Sequence, residues 1–518
     1  MIKVARKTMA ELAAFLSPNI AAEQGVWQGN TSVFHLVRHA NEASEGSVFI
    51  ALPGLKTHAN QYLQQARQAG AHWVISDRMP KQRPTDMGIW VVPNLSNRLA
   101  DLANWFYDYP SSQLSLIGVT GTNGKTTTSF LVAQLLNLLG QKVALLGTLG
   151  AGVYPNLRYT GHTTPDILTT QAWLAEAVSE GCKFAVMEVS SHAIVQQRIA
   201  GLAFAIKALT QVTEDHIDFH GSVAAYHQAK QDFFIKGSQP KNHPAETWVV
   251  NIADGVGQQL DFALKQHSAE PSISCVRYQA DLSVVTHADA SLVALAQSPR
   301  AHGFQLSLRW QQQAWSCHTN LLGDYNIENL LCSLSCVLSL GFDLKQVQDT
   351  VPSLVAPPGR LERVACLKPL NVVVDFAHTT DALRRVLQTL NELRQAIKPS
   401  CSIWVIFGCG GDRDKTKRPA MTAQAYQLAD YLVLTSDNPR SEPIETILAD
   451  MLAGLPSGFD NKKMIIETDR KRAIETALYR AKEGDWVLVA GKGHESTQQI
   501  NGQCYVFSDQ QVIKEWTP

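Results

Sequence analysis

"LSLIGVTGTNGKTTTSFLVAQLL", Leu114 to Leu136, decides the fold. A short apolar run reads as a buried strand, "GTNGKTTT" as a glycine-rich loop, and the residues to Gly140 as an amphipathic helix. Strand, glycine loop and helix in that order form the usual seat of a nucleotide phosphate. Glycines let backbone N–H groups approach phosphate oxygens, and the helix N-terminus favours negative charge. Lys125 can reach the β- and γ-phosphates, and the Thr126 hydroxyl can be offered to Mg²⁺. The spacing is not the standard one: that pattern needs glycine at 119, where Val119 stands, whereas Gly118, Gly121 and Gly124 recur every third position. A glycine-rich turn with a surface lysine is the plainer alternative. The context favours ATP, with Gly121, Thr122, Asn123, Gly124, Lys125, Thr126 and Thr127 around it.

Upstream, "SVFIAL", "HANQYLQQARQAGA", "HWVISD" and "IWVVP" alternate strand and helix in a small α/β unit. The helical "NRLADLANWFYDYPS" follows, and a first domain of residues 1–110 is expected. Downstream, "KVALLGTLG", "KFAVMEVS", "FAIKALTQV" and "TWVVNIA" add strands to a larger α/β domain, residues 111–352. Residues 270–320 lack helical periodicity and read as a β-rich insertion. "NIENLLCSLSCVLSLG" returns to helix. "APPGR", Ala356 to Arg360, marks a hinge before a third domain, residues 353–518. There, continuous apolar strands alternate with helices, which implies a mostly parallel sheet covered on both faces. Ligands of such sheets sit at the carboxyl ends of strands, where Asp375, Arg413, Arg440 and Glu495 fall. In "LVLTSDNPRSEP", Pro439 is expected to stiffen the loop that presents Arg440.

The bulk properties exclude several classes. With 518 residues, 45% hydrophobic, 18% charged and a net charge of −1, the chain has no basic footprint for nucleic acid or an anionic membrane. No apolar run reaches membrane-spanning length, and the basic, amphipathic N-terminus reads as no signal peptide. Nine dispersed cysteines suit reduced cytoplasmic thiols, with Cys332 and Cys336 packed in a helix core. A cytoplasmic monomer is expected.

Glu188, at the end of "KFAVME", is placed as a Mg²⁺ ligand or its support. "TEDHIDFHGSVAAYHQAK" gathers Asp215, His216, Asp218, His220 and Lys230. His216 and His220 are four apart, as in some zinc sites. The intervening Asp218 and Phe219 and the break at Gly221 favour service beside Mg²⁺-ATP instead. Lys230 alone reads as a solvated helix lysine, because an ammonium cannot ligate a metal.

Ten blocks in order then carry a resemblance: "TGTNGKTTT", "HTTPD", "MEVSSHAIVQQR", "DHIDFHG", "YHQAK", "PPGRLE", "VDFAHTTDAL", "FGCGGDRDKTKRP", "SDNPR" and "GKGHE". They run from about residue 114 to the C-terminus, with a looser match at "GSVFIALPG". The chain resembles the Mur ligases, which build the peptide of bacterial cell-wall precursors, and within them the branch that adds diaminopimelate. The resemblance implies a uridine-nucleotide domain, a central ATPase and a C-terminal Rossmann-like domain. It implies ATP-dependent ligation of meso-diaminopimelate to UDP-N-acetylmuramoyl-L-alanyl-D-glutamate through an acyl phosphate, with domain closure excluding water. It assigns Asn326, Arg360 and Asp375 to ATP, and Thr126, Glu188, His216 and Lys230 to the metal. Lys230 would carry a carbamate from CO₂, which turns an ammonium into an anionic Mg²⁺ partner and overturns the plainer reading. Lys125, Glu188, His216 and Lys230 form the implied catalytic set. Thr163, Thr164, Ser190, Gln196 and Arg198 would hold the muramoyl dipeptide. Arg413, Asp437, Asn438, Pro439, Arg440, Gly491 and Glu495 would hold the amino acid. Folylpolyglutamate-synthase-like ligases share the central logic but lack the uridine domain and the "DNPR" loop. There are departures from the family pattern: His39-Ala40-Asn41 for Asp-Ser-Arg, His162 for Asn, Gln211 for Asn, Glu214 for Arg and Thr380 for Pro.

Overall fold

The computed structural model describes residues 7–16, 21–23, 31–54, 57–82, 84–236, 246–266, 273–280, 290–300 and 303–517. The basic start of the N-terminal segment and parts of the 270–320 insertion lie outside them. The chain divides into two compact units, Met1–Tyr278 with Cys332–Phe342, and Gln279–Leu331 with Asp343–Pro518.

The first unit holds two main sheets, besides a two-stranded pairing of Lys7–Thr8 with Ser32–Val33. The smaller runs Ala21–Glu23, Gly88–Val91, Trp73–Ser76, Ser47–Ala51, His35–Val37, parallel except at Ala21–Glu23. Phe49, Ala51, Val74 and Ile89 pack one face onto Leu63 and Ala66 of a short helix. The larger sheet places Ser115–Thr120 between Phe184–Glu188 and Ile206–Leu209, all parallel. The phosphate loop therefore leaves the middle of a parallel sheet. Glu188 pairs in register with Val119, so its carboxylate stands at the loop's flank.

The helix Lys125–Leu138 is not amphipathic: every residue from Thr126 to Leu136 is buried. A helix buried all round, its polar Thr126, Thr127, Thr128, Ser129 and Gln134 included, belongs inside a domain. Gly118 has a packing duty rather than a loop duty. A Cβ there would lie 2.6 Å from Phe204 Cε1 and 2.7 Å from Phe233 Cζ. Phe233 sits on the helix Val223–Ile235, which also carries Lys230. Small Gly118 thus lets that helix close down on the strand that feeds the loop. Cys332 and Cys336 are fully buried in Asp324–Ser339, and all nine cysteines are thiols.

In the second unit, Leu292–Arg300, Gly303–Trp310 and Gln313–Thr319 form an antiparallel meander, so the β-rich reading of this stretch holds where it is described. A six-stranded sheet runs Glu362–Arg363, Asn371–Asp375, Trp486–Ala490, Ile403–Phe407, Tyr431–Leu434, Met464–Ile466, parallel except at the first, two-residue strand. Side chains alternate between two cores. Val373, Val405, Phe407, Leu432 and Leu488 face one layer of helices, and Val372, Val374, Ile406, Val433 and Val487 face the other. That two-faced burial explains the continuous apolar strands.

One buried ion pair ties the working end of this sheet together. Arg470 and Asp509 are both fully buried and meet through two hydrogen bonds of 2.7 and 2.8 Å. The same guanidinium donates to Ser436 O at 3.2 Å and Ala490 O at 3.0 Å, backbone at the carboxyl ends of two strands. Removing one partner of such a pair strands a buried charge, so Asp509→Ala is expected to cost about 3–5 kcal/mol of unfolding free energy in chemical denaturation. A loss under about 1 kcal/mol, the worth of an exposed pair, would show that the clamp is dispensable.

Candidate active site

The phosphate loop is laced to the segment after Ile206–Leu209. Gly121 has φ +148°, and a Cβ on it would lie 1.9 Å from Thr210 Oγ1, so no other residue fits without movement. Thr210 Oγ1 donates to Asn123 O at 2.6 Å, and Thr122 N donates to Gln211 O at 2.8 Å. Gln211 serves the loop through its backbone, so glutamine for the usual asparagine leaves this contact intact. The Thr122 hydroxyl donates to Thr213 O at 2.9 Å and lies 2.7 Å from the Tyr226 hydroxyl. Lys125 Nζ donates to Gly121 O and Thr122 O, each at 2.9 Å. Lys230 Nζ also donates to Gly121 O, at 2.8 Å, and lies over the Tyr226 ring. Lys230 is buried, contrary to the solvated reading. Burial, helped by the Lys125 charge, pulls its amine well below the usual lysine range.

Glu188 is the hub of the adjoining strand ends. Its Oε2 accepts from Thr126 Oγ1 at 2.8 Å and its Oε1 from Thr148 N at 2.7 Å. Gly147 allows this approach, since a Cβ there would fall 2.3 Å from Oε1. Thr148 Oγ1 in turn lies 3.1 Å from Thr163 Oγ1. Thr164 Oγ1 donates to Glu188 O at 2.8 Å and accepts from Ser190 N at 3.1 Å. Arg198 donates to Thr164 O at 2.7 Å and to Gln196 Oε1 at 2.6 Å. Thus Thr163, Thr164, Ser190, Gln196 and Arg198, scattered in sequence, form one bonded group around Glu188. The adjacent hydroxyl and carboxylate of Thr126 and Glu188 are hard oxygen donors and fit Mg²⁺, which binds one or two carboxylates and keeps waters or phosphates.

His216 has φ +52° and opens the short helix Ile217–His220. Its ring centre lies 4.8 Å from that of His192, while His220 Nε2 lies 3.0 Å from Ser191 Oγ. Burial, then the neighbouring His216, hold the His192 and His220 imidazoles below the usual histidine range. Among the described residues no three His, Cys, Asp or Glu side chains converge as a metal cage. His39, Ala40 and Asn41 line a pocket of about 370 Å³ with Arg38, Tyr62 and Gln65 on the smaller sheet.

The second unit holds the remaining expected residues. Asn326 is buried and donates to Leu322 O at 2.8 Å. The Arg360 guanidinium lies 4.9 Å over the Phe376 ring. Asp375 accepts from Leu361 N at 2.7 Å and Ala377 N at 2.8 Å, and burial pushes its carboxyl up. Thr380 is the first residue of Thr380–Ile397, capped by Thr379. Proline is favoured there because that N–H has no helical partner, so threonine keeps the geometry.

Asn438 Nδ2 donates to Glu495 Oε2 at 2.8 Å. Gly491, φ +112°, leaves room for Asp437, whose Oδ2 would be 2.6 Å from an added Cβ. Asp437 is buried, and burial raises its carboxyl above the usual range. Arg440 has φ +55°, so Pro439 alone does not set its pose. A hairpin, Thr497–Ile500 with Gln503–Val506, does. Arg440 N donates to Gln499 O at 3.0 Å, and Asn501 N donates to Arg440 O at 2.6 Å. The guanidinium reaches Gly411 O at 2.7 Å. Glu442 pairs instead with Arg418, at 2.7 Å, and Lys415, at 3.0 Å. Arg413 is exposed on the neighbouring loop.

Two family models match: the Mur ligase middle domain over residues 119–337 and the Mur ligase glutamate ligase domain over residues 359–493. A UDP-N-acetylmuramoyl-L-alanyl-D-glutamate–2,6-diaminopimelate ligase of Coxiella burnetii is 36% identical, covering 97% of this chain and 99% of that protein. The chain belongs to the Mur ligase family. A ligase of the same description from Vibrio vulnificus is 38% identical over 92% of each chain. A solved structure under that description aligns over 98% of both chains, at 33% identity and a TM-score of 0.65. A Mycobacterium tuberculosis folylpolyglutamate synthase shares the fold at 16% identity, covering 76% of this chain and 92% of its own, with a TM-score of 0.56. The three main sheets are accordingly those of the three-domain α/β architecture of an ATP-dependent Mur ligase.

Thr148, Tyr226 and the 497–506 hairpin were not singled out in the sequence. Thr148 follows a strand end at Gly147, the one signal that could have marked it. Lys125→Ala removes the loop's flexible cation and is expected to lower phosphate release by at least about 100-fold, the usual cost of losing one donor to a developing charge, with far-UV circular dichroism unchanged. Turnover within about tenfold of the parent would refute the loop assignment.

Proposed function

We propose that this Mur ligase joins meso-diaminopimelate to UDP-N-acetylmuramoyl-L-alanyl-D-glutamate in peptidoglycan precursor synthesis. The labour is divided as residues 1–110 for the uridine nucleotide, 111–352 for ATP and 353–518 for the amino acid. The γ-phosphoryl group passes to the D-glutamyl carboxylate and gives an acyl phosphate with ADP as leaving group. The diaminopimelate amine attacks the acyl carbon, loses a proton, and phosphate departs. Lys125 neutralises charge on the phosphoryl oxygens. Thr126, Glu188, His216 and a carbamylated Lys230 would hold Mg²⁺, which supplies Lewis-acid stabilisation of the phosphates. Arg198 and Gln196, with Thr163, Thr164 and Ser190, orient the dipeptide. Asn326, Arg360 and Asp375 serve the nucleotide, Arg360 and Asp375 from the hinge and its neighbouring strand end.

The buried Lys230 supports the carbamate. A neutral amine is the form that adds CO₂, giving R–NH–COO⁻ and a released proton, and burial beside Lys125 favours that neutral form. Lys230→Ala is expected to be nearly inactive and to regain part of its turnover with added short carboxylates. Absence of rescue together with an unmodified lysine in mass spectra of the active enzyme would remove the carbamate.

The observation that carries the substrate choice is Arg440, held by the hairpin while Glu442, close in sequence, is committed to Arg418 and Lys415. Diaminopimelate differs from lysine by one distal carboxylate, which a guanidinium grips through two hydrogen bonds, while it repels an ammonium. Arg440→Ala should lower kcat/KM for diaminopimelate by roughly 10- to 150-fold, from about 1.5–3 kcal/mol of charged hydrogen bonding. Phosphate release with the nucleotide dipeptide, with and without diaminopimelate, tests the whole reading. A parent enzyme that takes L-lysine equally well would refute it.

A further inference from the structure

Beneath the amino-acid loop lies a cation that none of the assigned roles uses. Lys492 is fully buried, whereas the Glu495 side chain above it is about a third exposed. Lys492 Nζ reaches Glu495 Oε2 at 2.9 Å and Asn438 Oδ1 at 3.2 Å. Asn438 Oδ1 also accepts from Gln499 N at 2.9 Å. Turning the Asn438 amide over would set its NH₂ against an ammonium and an N–H, so its Nδ2 is fixed toward Glu495 Oε2. We propose that Lys492 is a positioning residue for the amino acid: it locks the Asn438 amide in one orientation and holds Glu495 as a carboxylate aimed at a substrate ammonium. Buried as it is, it acts through these two side chains and not by touching the ligand. The inference rests on the diaminopimelate reading given above.

Glu495 is faced by Lys492, Asn438 and His494, with Asp437 and Arg470 acting on the same cluster. Its carboxyl lies below the usual range: burial opposes this, and Lys492, then Asn438 and His494, outweigh it. Without the lysine, Glu495 should take a proton at higher pH.

Lys492→Met should raise KM for diaminopimelate by about tenfold or more, the worth of one charged hydrogen bond, with KM for the nucleotide dipeptide and ATP within about twofold. The acid limb of kcat/KM for diaminopimelate should move to higher pH. Lys492→Gln keeps a donor for Asn438 Oδ1 without the charge. It should regain part of the KM yet keep the displaced acid limb, and it carries the test if the Met variant does not fold. A folded variant whose KM values and acid limb match the parent would overturn the proposal. So would a loss spread equally over all three substrates, which marks a merely structural lysine. A parent enzyme that does not consume diaminopimelate fails earlier, in the substrate reading itself.

Discussion

Two lysine ammonium groups converge on one carbonyl oxygen, that of Gly121, and the first unit is arranged around that convergence. It requires a left-handed glycine pressed against Thr210, a helix that delivers Lys125 from one side, and a second helix that delivers Lys230 from the other. The second helix comes close enough because Gly118 yields its side-chain space to Phe233. Like charges in a confined space raise each other's cost, and the pair is tolerable in two ways. A polyphosphate can neutralise both, or one amine can give up its proton. The depressed amine of Lys230 marks which lysine yields, and the exchange of an ammonium for a carbamate would turn repulsion from Lys125 into attraction.

The second unit solves a related problem with opposite means. The loops at its strand ends stand on two buried cations, Arg470 and Lys492, each already matched by a carboxylate. Buried charges are expensive to desolvate and pack no better than apolar residues. What they offer here is directional: Arg470 holds the backbone at two strand ends at once, and Lys492 orients an amide and an acid that hydrophobic residues could not tell apart. The loops above can then be polar and partly exposed without losing their geometry.

The strand–loop–helix unit, Glu188 at a strand end, the doubly covered C-terminal sheet and the loop bearing Arg440 were all legible because each is local. Strand ends and glycine loops follow from a dozen consecutive residues. Three features were not legible. The burial of Lys230 depends on Tyr226 and Gly121, more than a hundred residues apart. The helix after Lys125 reads as amphipathic because its threonines and glutamine are polar, yet the Thr126 hydroxyl is spent on Glu188 and the Ser129 hydroxyl on the helix's own backbone. The hairpin at 497–506 is hard to read because "QQINGQ" is polar and weakly patterned, although "NG" is itself a turn signal. The family resemblance supplied roles for Lys230 and for the scattered dipeptide residues that composition and spacing alone left undecided.

His216 and Arg440 share a property that their sequence neighbours do not announce: both are non-glycine residues in the left-handed region, at φ +52° and +55°. Such a conformation costs on the order of 1–3 kcal/mol and persists only where the surroundings over-determine it. At Arg440 the surroundings are the two backbone bonds to the hairpin. At His216 they include the Asp215 carboxylate, which accepts from His216 N at 2.8 Å, and the first turn of Ile217–His220. In an unstrained extended pose each chain would carry its side chain onward with the backbone. The left-handed turn bends the chain at that residue, and at Arg440 the guanidinium is then fixed against Gly411 O at 2.7 Å. The strain is therefore the means by which a loop, ordinarily the least constrained part of a fold, presents one long side chain in a fixed direction.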